Sequence, residues 1–242
     1  MNDNIKAVLF DLDGTLLPMD QTAFTNKYFV ELCKIVVPTG LIDADKMVEA
    51  TWYGTKCMVK NDGSKLNHLL FWEGFSRCSS IVGSDLERIA CMCDGFYTKE
   101  FHRARETCTD NPLARRAVEL ACGNGKRSVV LASNPIFPKV GQLSRMSWVG
   151  LTEGDFKFMT SYENQRFCKP NPEYYRAIAA DLGVLPCECL MIGNDEREDA
   201  KAASEAGMNC FLVTDCLIEC PDFHWEGMRG SFAQAVELLE TL

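Results

Sequence analysis

Histidine is scarce in this chain, three residues in 242, and none of the 13 cysteines forms a C-x-x-C pair. The ligand spacings of structural zinc sites are therefore missing. Two Cys-x-Cys pairs, Cys91/Cys93 and Cys187/Cys189, have only His68, His102 and His224 to complement them and read as buried structural thiols. Basic charge is also in deficit: 25 Lys and Arg face 34 Asp and Glu, a net charge of -9. Such a surface repels a phosphate backbone, and the basic pairs Arg115-Arg116 and Lys126-Arg127 read as solvated faces, so no nucleic-acid partner is expected. No uninterrupted apolar run approaches the roughly 18 residues of a membrane span. The opening residues Met1 to Lys6 lack the apolar stretch of a signal peptide. With an odd number of scattered thiols, the expectation is a soluble cytoplasmic protein with no membrane partner.

What is present is an ordinary globular composition, 47% hydrophobic and 24% charged. Short apolar runs at residues 6–10, 128–132, 189–192 and 210–213 read as buried strands of a parallel sheet. Helical segments at 113–122, 173–182 and 198–206 precede the last three, and the second and third of these close at Gly183 and Gly207. Strands alternating with helices imply an α/β fold. Residues 20 to 105 break that rhythm with amphipathic segments at 22–36, 43–58, 64–77 and 85–103. An inserted helical domain is favoured there over extra helices packed on the sheet. Residues 216–230 read as loop.

The first strand runs directly into Asp11-Leu12-Asp13-Gly14-Thr15-Leu16, two carboxylates at the carboxyl end of a strand, where open α/β sheets place their sites. Carboxylates two residues apart can share one side of an extended backbone and invite a divalent cation. After the second strand stands Ser133-Asn134-Pro135, with Asn134 suited to a helix cap and Pro135 to a first helical turn, so that free N–H groups and the Ser133 hydroxyl could cradle a phosphoryl group. Lys169-Pro170-Asn171-Pro172 sets a lysine before a second capped helix. Gly193-Asn194-Asp195-Glu196-Arg197-Glu198-Asp199 follows another strand and carries an acidic pair, Asp195 and Asp199, with three residues between them.

In this order and placement the four segments resemble the motifs of the haloacid dehalogenase (HAD) superfamily, across residues 8 to 207. The resemblance implies a Rossmann-like parallel core at 1–17 and 108–242, with an α-helical cap at 18–107 hinged near 16–21 and 107–111. It implies a phosphatase that hydrolyses a small phosphorylated metabolite, a phosphomonoester, with Mg2+. Asp11 would be the nucleophile, transiently phosphorylated, and Asp13 the acid and base. Ser133, Asn134 and Lys169 would bind the phosphoryl group. Asp11, the Asp13 carbonyl and Asp195 would hold the metal, with Asn194 and Asp199 behind them; Asn194 stands where some members carry the first carboxylate, and Asp195 is favoured because an amide is the weaker ligand for a hard cation. A phosphonatase using Lys56, Lys60 or Lys65, a phosphosugar mutase and a non-catalytic binding module remain as alternatives. The turn at 60–63 is weighed as a substrate loop against a plain connector, and the connector is favoured. Trp52, Tyr53, Phe71 and Trp72 read as core and receive no role.

Overall fold

Alternate residues of the first strand enter different cores. In β1 (Ala7–Phe10), Ala7 and Leu9 pack with Tyr174, Ile178 and Ala203, whereas Val8 and Phe10 pack with Ala117, Val118 and Leu239. A strand buried on both faces needs an unbroken apolar run, which is what residues 7–10 supply. The computed structural model, which describes residues 4–242, continues from β1 into four helices: α1 (Gln21–Val36), α2 (Ala44–Val59), α3 (Asn67–Ser79) and α4 (Gly83–Tyr97). A 3-10 helix, Glu100–Thr107, returns the chain to α5 (Ala114–Cys122) and β2 (Ser128–Leu131). Then follow α6 (Lys139–Trp148), β3 (Phe158–Met159), α7 (Pro172–Leu182), β4 (Cys189–Gly193), α8 (Ala202–Glu205), β5 (Asn209–Val213), β6 (Met228–Gly230) and α9 (Phe232–Glu240).

The six strands form one sheet in the order β3-β2-β1-β4-β5-β6, and every neighbouring pair is parallel. From β1 the chain first builds outward through β2 and β3, then crosses to β4 on the other side of β1. The border between β1 and β4 is therefore a topological switch point, where the loops after β1, β2 and β4 diverge and leave a crevice.

The first two helices after β1 start where the sequence supplies caps: Asp20 accepts the Ala23 N–H at 2.9 Å and Asp43 accepts the Lys46 N–H at 2.8 Å. α2 and α3 approach closely because Gly54 and Gly74 face each other's helix; a Cβ at Gly54 would lie 2.7 Å from the Phe71 carbonyl oxygen. The entering and leaving segments run side by side, with Asp20 N–H donating to Thr107 O at 3.2 Å and Thr109 N–H to Pro18 O at 2.8 Å. One hydrophobic cluster joins this helical insert to the sheet layer without a break, from Phe24 and Tyr28 through Phe101 to Trp148.

Several local expectations change. Segment 85–103 divides into α4 and the 3-10 helix, and segment 198–206 opens with a π-helical stretch, Glu196–Lys201, before α8. Residues 216–230 end in the short strand β6. No helix starts at Pro135; α6 begins four residues later, at Lys139. Of the Cys-x-Cys thiols only Cys189 is buried, while Cys91 and Cys187 are exposed and Cys93 is half-buried. On α4, residues i and i+2 point to different faces, so Cys91 and Cys93 cannot share one environment. Among the described residues no helix is long and apolar enough to cross a membrane.

Candidate functional site

The Asp11 N–H donates to Ile192 O at 2.9 Å, extending the β1–β4 ladder by one rung and fixing the Asp11 carboxylate at the end of the central strand. Gly14 then turns the chain at φ +94°; a Cβ there would sit 2.3 Å from the Asn194 side-chain nitrogen, so sterics as well as backbone conformation require glycine. Asn194 is consumed by this junction: its Oδ1 accepts from the Thr15 hydroxyl at 2.9 Å and its Nδ2 donates to Cys216 O at 2.7 Å. It buttresses the turn after β1.

Lys169 lies just before α7, whose N-terminus is capped by Asn171 with Pro172 in the first turn, as the sequence predicts. Its ammonium is buried and donates to Asp11 Oδ1 at 2.8 Å and to Asp199 Oδ1 at 2.6 Å. Asp199 in turn accepts the N–H groups of Asn194 and Asp195, both at 3.0 Å, on its other oxygen. That oxygen occupies the space in front of Gly193, where a Cβ would be only 2.2 Å away. Asp195 uses Oδ1 to accept the N–H groups of Arg197 and Glu198, at 2.8 and 2.7 Å, which leaves Oδ2 without a protein donor.

The Ser133 carbonyl is anchored by the hydroxyls of Thr160 and Tyr174, at 2.7 and 2.9 Å. Asn134 does not cap a helix. Its Nδ2 donates to Glu198 Oε2 at 2.9 Å, while its Oδ1 is buried with no partner. Asp11, Asp13, Ser133, Asn134, Asp195 and Asp199 all line one cavity of about 330 Å³, which extends from the strand ends up between the helices of the insert.

Two contributors to this site escaped the sequence. Arg145, on α6, is wholly buried; its guanidinium pairs with Asp13 Oδ2, donates to Gln142 Oε1 at 2.8 Å and lies 4.1 Å from the Phe137 ring centre. An arginine on a short helix reads as surface, and no local pattern marks it otherwise. Glu198 was visible only as one acid among several; the π-helical stretch turns it into the cavity. In the opposite sense, Trp52, Phe71 and Trp72, read as core, line the cavity, whereas Lys60 and Tyr53 of α2 face a separate groove.

Burial dominates the titration of the acids. It pushes Asp11 up to about 8, against the pull of Lys169 and with help from Asp199 and Asp13. It pushes Glu198 up to about 7. Asp13 is raised by burial while Arg145 and Lys169 oppose the rise, and Lys169 is held well above its ordinary value by Asp11 and Asp199 despite its own burial. Five carboxylates thus converge where, among the described residues, two buried cations reach them, Lys169 and Arg145. A hard divalent cation fits that imbalance and the all-oxygen donor set of Asp11, Asp195 Oδ2 and the Asp13 carbonyl. The carbonyl already accepts from Gln21 Nε2 at 3.1 Å but retains a second lone pair. Among the described residues no three His, Cys, Asp or Glu side chains converge to hold a metal by themselves.

Known proteins resemble this chain in sequence and in fold. The haloacid dehalogenase-like hydrolase family matches residues 5–207. The protein YhcW of Bacillus subtilis (strain 168), which carries a provisional phosphatase name, is 40% identical over 214 residues, 86% of this chain and 83% of its own length. Among solved structures, an HAD phosphatase from Thermococcus onnurineus superposes with a TM-score of 0.60 at 16% identity, covering 97% of this chain and 98% of that one. A 2-haloacid dehalogenase from Pseudomonas syringae pv. Tomato gives the same TM-score at 18% identity, over 98% and 99% of the two chains, so the likeness at this level is one of fold. With its parallel sheet, its four motif segments in order and a family match over most of its length, the chain belongs to the haloacid dehalogenase-like hydrolases.

Proposed function

We propose that this hydrolase is a phosphatase that cleaves a small phosphomonoester in two steps through a phosphoaspartate on Asp11. The observation that carries the reading is the buried chain of ion pairs from Asp11 through Lys169 to Asp199, set beside an Asp13 whose Oδ1 is buried and unpartnered at the same cavity. Asp11 attacks phosphorus, and the bond to the leaving oxygen breaks. Asp13 Oδ1, the one oxygen of that carboxyl group not engaged by Arg145, hands a proton to the leaving alcohol. Burial favours the neutral acid, while Arg145 and Lys169 favour the carboxylate. In the second step a water attacks the phosphoaspartate, Asp13 takes its proton, and Asp11 is released. Lys169, Ser133 and Asn134 hold the transferring group; Asp199 fixes Lys169 from behind, and Asn194 fixes the turn that follows Asp13. Asp11, the Asp13 carbonyl and Asp195 would hold magnesium, which when bound supplies positive charge to the phosphoryl oxygens.

In this reading residues 18–107 are a cap over the core of 1–17 and 108–242, and the paired strands of chain at 18–20 and 107–109 are its hinge. Among the lysines available for a phosphonatase Schiff base, Lys56 and Lys60 face the groove on the far side of α2, and none lines the cavity, which favours the phosphatase over that alternative. Phosphate release from a panel of phosphomonoesters, with magnesium and with EDTA, tests the proposal. Release should require the metal, and Asp11→Asn should lower kcat by at least about 10⁴-fold with its circular dichroism unchanged. A variant that retains activity would sink the covalent mechanism.

A further inference from the structure

The cavity above Asp11 is chemically one-sided. All of its charged residues, Asp11, Asp13, Asp195, Glu198 and Asp199, sit at the strand ends; no Lys, Arg or His lines it. Its upper wall, supplied by α1 to α4, is dominated by aromatic side chains: Phe24, Tyr28, Phe29, Trp52, Trp72 and Phe75 among them. The hydroxyls of that wall are nearly all spent inside the protein. Tyr28 and Tyr97 bond each other at 3.0 Å, and Thr51 and Thr55 donate to the carbonyls of Met47 and Thr51, at 2.8 and 2.9 Å. Only the Thr25 hydroxyl remains.

We propose that this enzyme selects phosphomonoesters whose leaving group is apolar, planar and uncharged, an aromatic alcohol of one or two rings, and discriminates against sugar phosphates and against esters with a second anionic group. The proposal rests on the phosphatase reading for the chemistry and on the wall for the specificity. A sugar would bring several hydroxyls against a wall that is mostly ring surface, with few polar groups beyond the Thr25 hydroxyl and the Trp52 and Trp72 indole N–H groups to meet them, so that most would be buried without a partner. A carboxylate or second phosphate would meet no cation above the acidic floor. Aromatic rings instead meet ring faces and edges. Size agrees: a cavity of about 150 Å³ takes one benzene ring, and about 330 Å³ accommodates the phosphoryl group with one or two rings.

The test compares three phosphates of primary alcohols, so that differences in leaving-group reactivity do not stand in for recognition: 2-naphthylmethyl phosphate, glucose 6-phosphate and 2-phosphoglycolate. With magnesium, kcat/KM should be at least about 100-fold higher for the naphthylmethyl ester. Trp52→Ala, at a side chain that is half exposed, should reduce that value about tenfold. Equal or faster hydrolysis of either polar ester would overturn the specificity and leave the phosphatase standing. If none of the esters is hydrolysed, the phosphatase reading fails, and calorimetric titration with 2-naphthylmethanol against glucose still decides the pocket. Saturable binding of the aromatic alcohol alone supports the proposal, and no binding refutes it.

Discussion

The floor and the roof of the cavity are built on opposite principles. On the floor, charged and amide groups are packed at the ends of β1, β2 and β4 and fixed by short, reciprocal hydrogen bonds: Lys169 to two carboxylates, Asp199 to two backbone N–H groups, Asn194 to Thr15 and Cys216. In the roof, rings from four helices meet edge to face, with the Tyr28–Phe96 and Trp72–Phe75 centroids 5.6 and 5.4 Å apart. The floor is strongly directional, since a buried charge is costly unless a partner or hydrogen bonds hold it in place. The roof has no such demand, because burial of apolar rings is weakly directional and tolerates variation of side chains at similar volume. The difference explains how one chemistry can be kept while the group it acts on is changed.

The sharpest way to break the contrast is to unpair a floor charge. Arg145→Met leaves Asp13 buried without its guanidinium, and urea unfolding should show about 3–5 kcal/mol less stability. The same change in a roof residue of comparable burial loses only packing. An unchanged unfolding midpoint would mean that the Arg145–Asp13 pair contributes nothing to the folded state. A smaller effect is expected from Gly193→Ala, whose new Cβ would displace the Asp199 carboxylate and loosen Lys169 against Asp11. kcat should fall about 10²-fold with KM little changed, because the misplacement acts on the reacting atoms rather than on the leaving group. A rise in KM alone would place Gly193 outside the catalytic alignment.

The smallest effect concerns how the roof is held on its outer side. Glu31 of α1, nearly inaccessible itself, accepts from Lys34 and from Arg103 of the 3-10 helix, both at 2.7 Å. These partners hold its carboxyl down, from 4.5 to about 2. A carboxylate with a depressed folded-state value stabilises fully above its unfolded value, and that contribution fades as the pH falls toward 2. Acid titration of the melting temperature should therefore decline less steeply between pH 4.5 and 2 in Glu31→Gln than in the unaltered protein. Parallel titration curves would show that Glu31 ties nothing across the insert.

Much of the floor is legible in the order of the amino acids, because its residues lie in short contiguous segments whose neighbours announce their place. The run at residues 7–10 marks a strand buried on both faces, and Asp11 follows it at once. Asn171-Pro172 marks the helix start that sets Lys169. Asn134-Pro135 carries the same signature and misleads, since Glu198, 64 residues away, takes the Asn134 amide and the helix begins only at Lys139. The cysteine pairs mislead similarly: Cys187 and Cys91 are exposed because neighbours in sequence diverge across a turn or a helix.

Local rules mark four of the six strands, the acids that follow β1 and β4 and the lysine before α7, because hydrophobic period and capping act between residues a few positions apart; β3, α6, β6 and α9 are too short or too weakly patterned to be marked in the same way. Long-range packing is needed to bring Arg145 against Asp13, to make Asn194 a buttress while Asp195 keeps an open oxygen, and to turn Trp52, Phe71 and Trp72 toward a cavity. Amphipathic spacing says that a helix face is covered, but the same rings satisfy it against a core or around a ligand; only the packing of four helices over the sheet chooses between them.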